Sequence, residues 1–103
     1  MENWKEKSLS LGSVKEKQDF PFKFESLKSL EIDKIEPSCS SCTKIVGYNP
    51  ETRELECIFN SGSFPLHLQA QGLSHFDTTK TISVTYKGGT SESLYFKIRV
   101  YKN

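Results

Sequence analysis

Two runs of strict alternation, set on either side of a glycine pair, constrain this chain more than any other feature. Ile82, Val84 and Tyr86 alternate with Thr81, Ser83, Thr85 and Lys87. After Lys87-Gly88-Gly89-Thr90, Leu94, Phe96, Ile98 and Val100 alternate with Tyr95, Lys97, Arg99 and Tyr101. Successive side chains of a strand point to opposite faces, so a period of two describes a strand with one oily and one wet face. Glycine reaches positive φ without steric cost, and Gly88-Gly89 therefore predicts a hairpin turn between the runs. A two-stranded hairpin with one apolar face is marginal in water, so further strands must cover it.

The rest of the chain supplies candidates. Residues 5–14 read as a first strand with Leu9 and Leu11 inward, ending at Gly12-Ser13, followed by the charged turn Lys15-Glu16-Lys17-Gln18. Phe20, Phe22 and Phe24 mark a second strand. Pro21 has no N–H for a ladder, which predicts an edge or a bulge there. Leu30, Ile32 and Ile35 carry a third strand up to Pro37. Residues 44–48 and 54–59 flank the turn Asn49-Pro50-Glu51-Thr52, with Leu55, Cys57 and Phe59 on one face. After Asn60-Ser61-Gly62-Ser63, the alternation of Phe64, Leu66, Leu68 and Ala70 with Pro65, His67, Gln69 and Gln71 predicts another strand. Residues 73–77 read as a loop into the final hairpin. Seven or eight short strands with turn signals between them, and no convincing 3.6-residue period, predict a single domain over residues 1–103. Its expected fold is an all-β, immunoglobulin-like antiparallel β-sandwich. Trp4, near the N-terminus, is expected to cap one end of the core. The antibody signature of a cysteine pair across the sheets is missing.

The order of these motifs resembles the DUF1573 family. Leu9-Ser10-Leu11-Gly12-Ser13-Val14, the Phe20/Phe22/Phe24 strand, Ser38-Cys39-Ser40-Ser41-Cys42-Thr43 and Thr79-Lys80-Thr81-Ile82-Ser83-Val84 follow one another as that family's motifs do. The chain differs in having Ser40-Ser41 where the family has a single glycine, and Ser26-Leu27-Lys28-Ser29 in place of an Asn-Thr-Gly turn. It also lacks a clear match to the family's proline-glycine turn. The resemblance implies an immunoglobulin-like module related to the ASH and MSP group, with no defined catalytic activity.

Composition excludes several classes. Fourteen basic residues against thirteen acidic ones point neither to nucleic acid nor to an acidic tail. No apolar run approaches the roughly 18 residues of a membrane span, and the polar N-terminus lacks the apolar region of a signal peptide. A cytoplasmic protein is expected, or a virion-associated one if a phage encodes it. Three cysteines are an odd number, which favours mostly reduced thiols over a disulfide scaffold.

Cys39-Ser40-Ser41-Cys42 is the one sharp local motif. It admits a structural loop with or without a reversible disulfide, a regulated redox dithiol, or half of a zinc site completed from Cys57, His67 and His75. A redox CxxC draws its low thiol pKa from a helix N-terminus, and the flanks here read as strands. His75 and Asp77 could orient an imidazole, but no nucleophile is assigned beside them. No phosphate loop and no carboxylate pair in an apolar setting is present, so no enzyme activity and no cofactor are expected.

The outward side of the last hairpin carries the candidate binding residues, Tyr95, Lys97, Arg99 and Tyr101, next to Thr81, Ser83, Thr85 and Lys87. A solvated sheet face has this composition, as does a protein-binding surface. Single-stranded nucleic acid, bound by stacking and phosphate contact, is the least favoured occupant. The expectation is a non-enzymatic protein-interaction or assembly module, by analogy with immunoglobulin-like adaptors and phage decorations. Exposed edges leave room for a homodimer by edge-strand pairing. The alternative is a metal- or redox-responsive domain centred on Cys39 and Cys42.

Overall fold

The alternating runs form strands because each can bury one face against the other sheet. In a computed structural model of the protein, which describes residues 3–102, the chain runs through β1 (Ser8–Lys15), β2 (Asp19–Glu25), β3 (Ile32–Pro37), β4 (Thr43–Asn49) and β5 (Glu54–Asn60). A short helix, α1 (Leu66–Ala70), then leads to β6 (His75–Tyr86) and β7 (Ser91–Tyr101). The strands make a four-stranded sheet in the order β1-β7-β6-β3 and a three-stranded sheet in the order β2-β5-β4. Phe24, Leu55, Cys57 and Phe59 of the smaller sheet are buried against Ile82, Val84, Leu94, Phe96, Ile98 and Val100 of the larger. Rings interlock across the gap, with the Phe96 centroid 4.5 Å from that of Phe22 and 5.7 Å from that of Phe59. The fold is an all-β sandwich of immunoglobulin type, its first, third, sixth and seventh strands in one sheet and its second, fourth and fifth in the other.

The predicted hairpin is β6–β7, paired from His75↔Tyr101 to Thr85↔Ser91. Its turn is closed by Gly89 N–H donating to the Tyr86 carbonyl at 2.9 Å, with Gly89 at φ 93°. A side chain at that φ is strained, and here glycine is needed. Pro21 lies on β2, an edge strand, where its missing donor costs no ladder bond in the sheet interior.

The first strand differs from expectation. The N-terminal segment is divided between the two sheets. Trp4 bridges Ser26 in antiparallel fashion, and Lys5 N–H donates to the Glu25 carbonyl at 3.0 Å. The chain then crosses over, and β1 runs parallel to β7, with Ser8 opposite Tyr95 and Val14 opposite Val100. Among the described residues this is the one parallel pairing; the others are antiparallel. Gly12-Ser13 does not end the strand. The register shifts between Ser10 and Ser13, and Gly12 sits at φ 86°, so the pair forms a bulge. Trp4 closes one end of the core: it is fully buried, edge-on to Phe24 and Tyr48, and its Nε1–H donates to the Tyr86 hydroxyl at 2.9 Å.

The predicted strand over residues 64–71 is also corrected, because Leu66–Ala70 is helical. Pro65 precedes the helix with its ring-fixed φ at −59°. Gly72 ends it at φ 76°, with Gly72 N–H donating to the Gln69 carbonyl at 3.0 Å and Leu73 N–H to the Leu68 carbonyl at 3.1 Å. That pair of bonds is a Schellman cap, which a glycine at this position favours. Only Phe64 of the alternating set is fully buried, its ring edge-on to Phe76; Leu66 points into solvent. His67 accordingly sits on α1, and His75 belongs to β6, which starts two residues before the expected loop would have ended. Among the described residues no helix is long and apolar enough to cross a membrane.

Candidate binding face

Pairing on both sides of β7 organises the outer surface of the larger sheet into cross-strand rows. Tyr95 lies between Ser8 and Thr81, Lys97 between Ser10 and Thr79, Arg99 between Ser13 and Asp77, and Tyr101 between Lys15 and His75. All four candidate residues of β7 point outward, and Leu94, Phe96, Ile98 and Val100 between them are buried. Tyr95 is 43% exposed and Tyr101 37%. Ser83 is exposed too, but its row is completed by Ser93 near the hairpin turn, away from the basic residues.

Charge on this face is uneven. Arg99 Nε donates to Asp77 Oδ1 at 2.7 Å and a terminal nitrogen donates to Oδ2 at 3.2 Å, a two-pronged pair. Those hydrogen bonds hold the Asp77 carboxyl below the usual carboxylate range. They also raise the Arg99 guanidinium, with Tyr101 adding to the effect. The His75 ring is tilted against Tyr101 at 5.5 Å. Lys97 and Lys15 take part in no ion pair among the described residues. Next to the β1 bulge the surface dips into a depression of about 390 Å³, lined among others by Ser10, Gly12, Ser13, Asp77, Lys97 and Arg99. A Cβ added at Gly12 would meet nothing within 4 Å, so the bulge opens onto free space.

Lys97, Arg99 and Tyr101 therefore share one depression, with Tyr95 further along the strand. The serines of β1 and Asp77 complete it, and reading the sequence missed them in that role. Periodicity assigns faces but not neighbours, so the parallel β1–β7 pair left no trace in the alternation. Asp77 lies on β6, where the sequence predicts a loop.

The other candidate constellation is dispersed. Cys39 and Cys42 are joined as a disulfide with their Cα atoms 5.3 Å apart, which corrects the expectation of reduced thiols at these two positions. The physical reason is a tight turn: Cys42 N–H donates to the Cys39 carbonyl at 3.2 Å and Thr43 N–H to the same oxygen at 3.0 Å. Such a turn brings the two side chains within bridging reach. Ser41 Oγ lies 3.4 Å from Cys39 Sγ. Cys57 is a free thiol in the core, pushed up to about 12 by burial and so kept protonated. Cys57, His67 on α1 and His75 on β6 are not assembled around the Cys39–Cys42 turn. Among the described residues no group of three or more His, Cys, Asp or Glu could hold a metal ion.

The fold and this face define a small immunoglobulin-like sandwich with a basic, aromatic outer sheet. No protein-family model matches the chain, and no curated protein matches it.

Proposed function

We propose that this protein is a non-enzymatic, immunoglobulin-like interaction module, a divergent relative of the DUF1573 family, which binds a protein partner through the outer face of β7. The observation that carries the reading is the row structure itself. Two half-exposed tyrosines bracket a lysine and an arginine on one rigid strand, and tyrosine and arginine are the residue types enriched at protein interfaces. The free thiol of Cys57 is buried and protonated, and Asp77 is engaged by Arg99 rather than orienting His75. An adaptor in a bacterial assembly, or a component of a phage virion, fits by analogy of fold. Self-association by edge pairing would use an outer strand of either sheet, β1 or β3 of the larger and β2 or β4 of the smaller.

The test is affinity capture from the native source followed by mass spectrometry, comparing wild type with Tyr95→Ala/Tyr101→Ala. A partner recovered by the wild type and lost from the double variant is the expected result. Identical recoveries would remove the face from consideration. A shift of single-stranded oligonucleotide at low salt that depends on Tyr95 and Arg99 would favour nucleic acid instead.

A second reading has one observation in its favour. The Cys39–Cys42 bridge is only half-buried, so a thiol reductant can reach it, and a redox-responsive loop is the alternative function. Free-thiol counts of the protein as isolated, before and after mild reduction without unfolding, test it. A bridge that resists reduction until the protein unfolds argues against this reading.

A further inference from the structure

We infer that the ligand of this face is an extended acidic peptide segment whose carboxylates recur at every second residue. It would lie along β7, over the depression beside the β1 bulge. The inference rests on the protein-binding reading above and deepens it.

The site already displays the chemistry it receives. The Arg99 fork holds the Asp77 carboxylate through two hydrogen bonds, at 2.7 and 3.2 Å. A planar guanidinium pairs with a carboxylate in this manner and is weakly hydrated, so exchanging an internal carboxylate for an external one costs little. Lys97, in the adjacent row, offers an ammonium with no ionic partner among the described residues, and Lys15 offers another two rows further along. The hydroxyls of Ser10 and Ser13 flank Lys97 and Arg99 from β1. Each row thus places a donor on β1 against a cation on β7, or the reverse in the Lys15–Tyr101 row.

Row spacing then selects the ligand. Residues i and i+2 of a strand stand roughly 6.6 Å apart, so Lys97, Arg99 and Tyr101 present their groups at that repeat. An extended peptide presents its own alternate side chains at the same repeat, so acidic residues at i, i+2 and i+4 meet successive rows in register. Asp77 disfavours a continuous polyanion, because its fixed negative charge sits among the cations and opposes an unbroken phosphate chain. In a peptide of this pattern the carboxylates are separated by neutral residues, and only the one in the Arg99 row meets Asp77, whose place on the guanidinium fork it takes.

The experiment uses fluorescence anisotropy at low salt with labelled peptides of one composition, glutamates alternating with serines in one and grouped in a block in the other. A single-stranded oligonucleotide of equal charge is the third probe. The wild type is expected to bind the alternating peptide best. Lys97→Glu should weaken it by about tenfold, the worth of one charge-assisted contact. Asp77→Asn, which frees the Arg99 fork, should tighten it several-fold. Circular dichroism of both variants establishes that they remain folded. Equal binding of block and alternating peptides, tighter binding of the oligonucleotide, or no peptide binding to either wild type or Asp77→Asn overturns the inference. If capture through Tyr95 and Tyr101 succeeds while the acidic peptides fail, the interaction face survives and only the ligand chemistry is wrong. If both fail, the face itself is not a binding surface.

Discussion

At the scale of single residues, the N-terminal end of the core hangs on a small polar network. Trp4 donates to the Tyr86 hydroxyl, Tyr86 donates to the Glu92 carboxylate, and Asn3 and Lys7 also reach that carboxylate, at 3.3 and 3.4 Å. Burial alone would push the Glu92 carboxyl up, but the hydrogen bonds from Tyr86, Asn3 and Lys7 outweigh it and hold the group below its ordinary value of 4.5. A carboxyl with a lowered folded-state pKa contributes stability above its unfolded pKa and loses it as pH falls through the folded value. Denaturant midpoints measured on the acid side of pH 4.5 should therefore fall more steeply for wild type than for Glu92→Gln; parallel curves would refute the role of this group. Trp4→Phe should cost about 1–3 kcal/mol, from lost volume and the loss of the hydrogen bond that the Tyr86 hydroxyl accepts, its own bond to Glu92 remaining. Thr43 is buried, and its Oγ1 has no hydrogen-bond partner. An unpaired buried hydroxyl is a cost, so Thr43→Val should leave the midpoint unchanged or raise it by up to about 1 kcal/mol. A clear loss of stability would mean that the hydroxyl has a partner in solution.

Among the elements, the Cys39–Cys42 turn and α1 set the limits of what sequence reasoning could reach. The disulfide closes a very short loop, so in the chain-entropy picture it adds only about 2 kcal/mol. Cys39→Ser/Cys42→Ser is expected to stay folded, with a denaturant midpoint lowered by no more than that; outright unfolding would show that the turn does more than restrain the chain. The strands of the core were legible because Phe20, Phe22 and Phe24, or Leu94 through Val100, repeat at the period that a half-buried strand imposes. Phe64 to Ala70 shows the same alternation, yet Leu66–Ala70 is helical, since local capping by Gly72 decides a segment with little to bury. The signal was available: a proline just ahead of the segment and a glycine just after it are the punctuation of a helix rather than of a strand. The candidate face was half visible. Its β7 residues follow from alternation, whereas Ser10, Ser13 and Asp77 join it only through strand pairings that no periodicity encodes.

For the whole molecule, the sandwich is long and narrow, 47 × 22 × 22 Å, and its radius of gyration of 15.0 Å exceeds the roughly 13 Å of a compact chain this size. Along that body the first full strand and the last lie side by side and run the same way, β1 against β7. If the molecule is gripped at Ser8 and Tyr101 and stretched, the two strands are dragged past one another, and their hydrogen bonds must give way together. Gripped instead at His75 and Tyr101, which face each other across the open end of β6–β7, the bonds peel in turn. Single-molecule pulling should therefore require a distinctly larger force in the first geometry than in the second, and equal forces would contradict the parallel pairing. A domain so built would hold its shape under tension applied between those two strand ends.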